Sequence, residues 1–231
     1  IVFGDWSSDV CSSDLGYLAA MALCGVVPPQ MKPAALALNI LVAVIGTVQF
    51  ARAGHFRWRL LWPFIVTSIP CAFLGGRVDL SPHIYCQIVA VVLIASAIRL
   101  AWIVRRVDDT GTPPPVGLAL PVGAGLGFVS GLTGVGGGIF LSPLFLLCRW
   151  AGTRATAAVS AGFILMNSIA GLLGHAGVNR EFPLQIAVWA VAAVAGGLIG
   201  SWIGSRRATP PLLRGLLVAV LVVAGGKLLL N

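Results

Sequence analysis

Apolar residues gather along the chain into runs at 16–27, 33–51, 60–76, 83–104, 116–132, 139–148, 155–175, 183–204 and 211–230, separated by short polar interruptions. Most are close to the ~20 residues that carry a helix across a hydrocarbon core of ~30 Å. The ~10-residue alternation of an outer-membrane barrel strand is absent, so the pattern predicts an all-α integral membrane protein, a polytopic helical bundle embedded in a lipid bilayer. Two runs fall short: Gly16 to Val27 does not span unless something precedes it, and Ile139 to Cys148 reaches only half-way. One stretch breaks the pattern from within. Gly131 to Pro143, GLTGVGGGIFLSP, sets five glycines and a proline into membrane-grade sequence. Glycine costs about 1 kcal/mol against alanine inside a helix, and three occur in a row, so a continuous helix is disfavoured there. Broken backbone at membrane depth survives only where protein or a water-filled cavity satisfies the freed N–H and C=O groups. The run therefore predicts a cavity.

Composition agrees with this reading and narrows it. Hydrophobic residues make up 58% of the 231 and charged ones 10%, far below the ~25% charged of an average soluble domain. The formal charge of +8 is scattered over loops and segment ends with no long basic run, so no nucleic-acid partner is expected. Snorkelling anchors and positive loops account for it. Tryptophans 58, 62, 102, 150, 189 and 202 lie near segment ends, as an aromatic belt places them. Cys24, Cys71, Cys86 and Cys148 sit in or beside apolar runs without CxxC spacing and read as small hydrophobes. No metal-ligand spacing and no Walker-type phosphate loop occurs, so no metal or other cofactor is expected.

Residues 1–15 read differently from the rest. Asp5 to Leu15, DWSSDVCSSDL, is polar and serine-rich directly before an apolar run, and DVCSSDL resembles the translation of a sequencing-adapter oligonucleotide. It is set aside as a non-native segment, with a genuine extramembrane loop as the other reading. Asp108 to Pro115, DDTGTPPP, is a linker that divides the remainder into 16–107 and 116–231. These halves read as homologous repeats of about four helices each. Asn39 falls on Asn167, Gly46 on Gly174, Pro82 on Pro210 and Arg99 on Lys227, all at an offset of 128. The same offset lays Gly134 to Pro143 on Trp6 to Leu15, so a first glycine break is expected to have stood where the foreign segment now lies, and the chain reads as N-terminally truncated. Loop charges bear on topology. Arg52, Arg57 and Arg59, then Arg149 and Arg154, then Arg206 and Arg207 share one side only if Val116 to Cys148 descends and returns as a hairpin, which also makes the repeats inverted. A single crossing splits them between the two sides.

Gly127 to Pro143, GFVSGLTGVGGGIFLSP, and Ala157 to Gly177, AAVSAGFILMNSIAGLLGHAG, together with Gly196 to Gly200, resemble the TauE/SafE sulfite exporter family of bacterial membrane proteins, also called TSUP. The carriers are the GxGGG-x-x-x-x-P pattern, a later Asn-Ser within a helix, and small-residue packing in the following helix. The resemblance implies secondary transport of small anions, such as sulfite or organosulfonates, across the bacterial inner membrane, and no enzymatic activity. A passive anion channel is the alternative. A membrane-embedded enzyme would need acids inside helices, whereas Asp79, Asp108, Asp109 and Glu181 fall in loops.

The candidate substrate residues follow from the break. Gly134, Gly136, Gly137 and Gly138 allow close approach to backbone, and a helix restarting after them favours an anion at its N-terminus. Thr133 and Ser142 add hydroxyls. Close helix packing through small residues is the competing reading. Asn167, Ser168 and the repeat counterpart Asn39 are polar groups inside apolar helices, either contacting substrate or bonding between helices. His175 is a candidate for proton coupling, or an interfacial histidine. Arg99 and Lys227 read as snorkelling side chains, with attraction of anions to a pore mouth as the other reading.

Overall fold

The computed structural model describes residues 18–26, 28–102, 114–177 and 210–230. A short helical stretch over 18–23 leads to seven helices: α1 (Pro28–Arg52), α2 (Trp58–Arg77), α3 (Pro82–Trp102), α4 (Val116–Thr133), α5 (Gly138–Leu147), α6 (Thr153–Ala176) and α7 (Pro210–Leu230). Among the described residues there is no strand. Among the described residues four helices, α1, α2, α4 and α6, are long and apolar enough to cross a membrane. Large apolar side chains face outward along them and along α3, with Val91 and Leu173 both 61% exposed, which suits lipid and not water. The expected helix over 183–204, the loop holding Arg206 and Arg207, and the segment 5–15 lie outside the described residues.

Helix boundaries agree with the apolar runs to within a few residues except at the start of α1. The run beginning at Pro33 predicts a helix from there, but α1 begins at Pro28 and carries Pro33 inside it. Proline at a helix start costs nothing, since the first N–H groups have no partner, and Pro33 sits only one turn further in. The extra turn brings Lys32 into the helix.

Glycine dictates how the helices pair. A Cβ on Gly123 would lie 2.5 Å from the Phe64 carbonyl oxygen, one on Gly127 2.3 Å from that of Ser68, and one on Gly131 2.0 Å from that of Ala72. The steps are four residues on both helices, so α2 and α4 run parallel with their backbones in contact along one seam. Helix α6 joins in the same direction: Gly162 meets Leu61, Ser68 bonds Asn167, and a Cβ on Gly76 would reach the Gly171 carbonyl at 2.2 Å. Helix α1 runs the other way, with Lys32 bonded to Gly76, Leu36 against Gly171, and Ala43 packed with Ala161 and Ile164.

Because α4 and α6 are parallel, the chain between them must return. It does so through α5, which is antiparallel to both. Gly138 faces Ser160 and Ile164, whereas Phe145, further along α5, packs on Trp150 and Phe64. Val116 to Cys148 is therefore a hairpin folded at the glycines. With 10 residues, α5 covers only ~15 Å, half the hydrocarbon core. Its fold places Arg52, Arg57, Arg59, Arg149 and Arg154, all exposed, at one end of the bundle.

Two expectations need correction. Trp150 is not part of an aromatic belt: it is 7% exposed and packs edge-on against Phe145, beside Phe64. The loop α5–α6 folds back under α2, which draws the indole into that core. Of the four cysteines in or beside apolar runs, Cys86 is buried, but Cys24 and Cys148 are exposed because both lie in the turns that end helices.

Candidate functional site

The glycine break is built from three left-handed residues. Gly134 (φ +80°) ends α4, with its N–H donating to the Ser130 carbonyl at 2.9 Å, and Gly136 (φ +75°) and Gly137 (φ +80°) turn the chain into α5. Side chains rarely tolerate this conformation, so the glycines are required by the turn itself. Close packing acts at the same positions. A Cβ on Gly137 would lie 2.9 Å from Phe163, and one on Gly138 2.4 Å from Ile164. Phe163 and Ile164 stand near the middle of α6, so the chain breaks deep within the bundle.

Polar groups converge here from both long helices. On α1, the Asn39 amide donates from Nδ2 to the Gly134 carbonyl at 3.1 Å, satisfying an acceptor that the left-handed turn removes from α4. On α6, Phe163 touches Gly137 and Gly171 touches Gly131. Asn167 lies four residues from each, hence on the same face, opposite the hairpin. The Ser68 hydroxyl donates to Asn167 Oδ1 across the α2–α6 contact. Asn167 Nδ2 is left buried without a partner, as are Ser130 Oγ, whose Cβ lies 3.1 Å from where a Gly137 Cβ would stand, Ser168 Oγ and Asn39 Oδ1. Unpaired polar atoms buried in an apolar medium cost about 1–3 kcal/mol each, and four such atoms lie on the helices that meet at the break.

The other predicted residues divide. The Thr133 hydroxyl turns back onto its own helix, donating to the Val129 carbonyl at 2.7 Å, while its carbonyl accepts from Tyr85 OH at 3.1 Å. Ser142 lies one turn into α5 and is bonded to Ser160 Oγ at 2.8 Å and the Gly138 carbonyl at 3.0 Å. Both hydroxyls are committed to structure. His175 is buried near the C-terminal ends of α2 and α6. Lys227 donates to the Leu23 carbonyl at 2.9 Å, tying α7 to the segment before α1.

Several residues escaped the sequence reading. Ser68 and Ser130 look like ordinary small residues in apolar runs, and only the partners across the bundle single them out. Lys32 had a visible signal, a lone cation beside an apolar run, which the assumed start of α1 at Pro33 left in a loop. It is 6% exposed, and its ammonium donates to the carbonyls of Gly75 (3.2 Å), Gly76 (2.9 Å) and Val78 (3.1 Å). These acceptors are left open where α2 ends, so the lysine caps that helix.

Apolar spans around a hairpin with one half-length arm, broken at glycine and packed against helices with buried unpaired polar groups, fit a polytopic membrane protein of the transporter class. The profile of the family described as "Sulfite exporter TauE/SafE" matches residues 15–228, and the chain belongs to that family. It is 43% identical over 218 residues to "Probable membrane transporter protein y4hK" of Sinorhizobium fredii, covering 93% of this chain and 88% of the relative. It is 26% identical over 204 residues to "Probable membrane transporter protein MJ0441" of Methanocaldococcus jannaschii, covering 81% and 74% respectively. No solved structure matches. The family and both relatives make this chain a membrane transporter.

Proposed function

We propose that the protein moves small sulfur oxyanions, sulfite or organosulfonates, across a bacterial inner membrane, and that the anion binds at the glycine break. The observation that carries this is the set of buried polar atoms without partners, Asn167 Nδ2, Ser130 Oγ and Ser168 Oγ, on the two helices packed at the three left-handed glycines. All three can donate hydrogen bonds to oxyanion oxygens, and the N-terminus of α5 adds a positive dipole end to the same turn. The substrate class comes from the family description.

Alternating access is the mechanism we assign. Halves 16–107 and 116–231 act as inverted repeats that rock against each other about the bound anion. The antiparallel packing of α1 on α6, which carry the paired residues Asn39 and Asn167, supports this arrangement. Segment 1–15 is a foreign stretch in the same reading.

The test is flux of radiolabelled sulfite into proteoliposomes, with and without an imposed proton gradient. Gradient-dependent accumulation is expected. Flux that only dissipates the sulfite gradient would mean a passive channel, and no flux of sulfite or any organosulfonate would overturn the substrate class.

A further inference from the structure

We propose that Lys32 is the counter-charge for the transported anion, giving the pathway a second station at the C-terminal end of α2, where His175 shares the ligand. This rests on the reading of the protein as an anion transporter. Among residues whose side chains are described, Lys32 is the only buried lysine or arginine; Arg52, Arg57, Arg59, Arg77, Arg149 and Arg154 are all exposed. A charge inside a membrane helix is costly and marks an ion pathway unless something neutralises it.

The three carbonyls on Lys32 satisfy its three N–H donors but carry no net charge. The acid beside it is Asp79, an exposed residue just beyond α2 that follows Val78, whose carbonyl Lys32 bonds. The ammonium's bonds to these carbonyls are already charge-assisted from the lysine side, but an anion's oxygens add a full opposite charge that the carbonyls lack, so they can compete for the ammonium. His175 follows Gly174, where a Cβ would meet the Phe73 carbonyl and the Arg77 nitrogen at the end of α2, and its Nδ1 is buried with no partner. A ring nitrogen in that state offers a ready contact for a ligand held by the lysine.

Position ties this station to the break. Built on Gly134, a Cβ would stand 3.1 Å from the Lys32 carbonyl oxygen and 3.4 Å from its Cα. The residue that carries the charge is therefore packed on the first glycine of the turn, one side-chain length from its own ammonium. Helix capping alone explains the three hydrogen bonds, but it requires no full charge and leaves the unpaired His175 nitrogen unexplained.

Sulfite uptake into proteoliposomes, measured as initial rate against concentration, tests the assignment with three variants. Lys32→Arg keeps the charge and should leave KM within about threefold. Lys32→Gln keeps donors but loses the charge, and should raise KM by about tenfold or more. Asp79→Asn removes the acid that competes with the anion and should lower KM several-fold. A residue that merely caps α2 would lower thermal stability when replaced but leave KM unmoved in all three, and that outcome overturns the proposal. Should Lys32→Gln not accumulate in membranes, Asp79→Asn decides, because a lowered KM is not a consequence of damage. Wild-type protein that moves neither sulfite nor methanesulfonate overturns the anion reading itself, whereas wild-type flux with unmoved KM values overturns only the role of Lys32.

Discussion

Replacing Gly131 by alanine would drive a methyl group into the backbone of α2. The new Cβ would stand 2.0 Å from the Ala72 carbonyl oxygen, 2.8 Å from its carbon and 2.9 Å from the Gly76 nitrogen, where ordinary contact begins at 3.4 Å. Relief needs a separation of about 1.4 Å, and none of these atoms belongs to a side chain that could swing aside. Rotation of α4 gives no escape either, because Gly123, Gly127 and Gly75 press on the same seam at 2.5, 2.3 and 2.3 Å. Overpacking of this kind costs about 1–3 kcal/mol, with rigid backbone at the upper end. It outweighs the ~1 kcal/mol that alanine contributes as a helix former. Gly125, on the same helix, has nothing within 4 Å of its virtual Cβ, so Gly125→Ala keeps the propensity gain without the clash. Thermal unfolding in detergent, followed by circular dichroism, should place Gly131→Ala below wild type and Gly125→Ala at or above it, a gap of about 2 kcal/mol or more. Gly131→Ala melting level with Gly125→Ala would refute the close parallel packing of α2 and α4.

Other consequences can be checked separately. Gly137→Leu should abolish sulfite flux, since it sets a side chain at φ +80° against Phe163; normal flux from membrane-inserted protein would show that the turn does not line the pathway. Asn39→Leu removes the donor to the Gly134 carbonyl and should lower stability by about 1–3 kcal/mol in the same melting assay, while an unchanged melt would mean water replaces the amide. Because five exposed arginines share one end of the bundle, that end should face the cytoplasm. A membrane-impermeant maleimide should then label a variant with Cys24 as its sole cysteine in intact cells, and one with Cys148 alone only after permeabilisation. The reverse pattern would invert the orientation.

Hydropathy alone located the described helices, apart from the start of α1, because a backbone in lipid must bond to itself and therefore needs about 20 apolar residues per crossing. It also located the break, since left-handed turns at Gly134, Gly136 and Gly137 are open to little but glycine. Charge in the loops left the path through Val116 to Cys148 open between a single crossing and a hairpin. Contact between α4, α5 and α6 decided it, through pairs such as Gly131 with Gly171 and Ser142 with Ser160. Candidate residues were legible as polar groups in apolar runs, but their roles were not. Thr133 bonds its own helix, Ser142 bonds Ser160, and Asn167 is left with an open donor, according to what stands opposite each. Lys32 shows the limit most plainly. Its partners lie 43 to 46 residues away in the chain, and nothing near it in sequence announces them. Local physics, the desolvation of peptide groups and the freedom of glycine, is written residue by residue. Which buried donor meets which acceptor depends on helix pairs brought together only when the bundle closes.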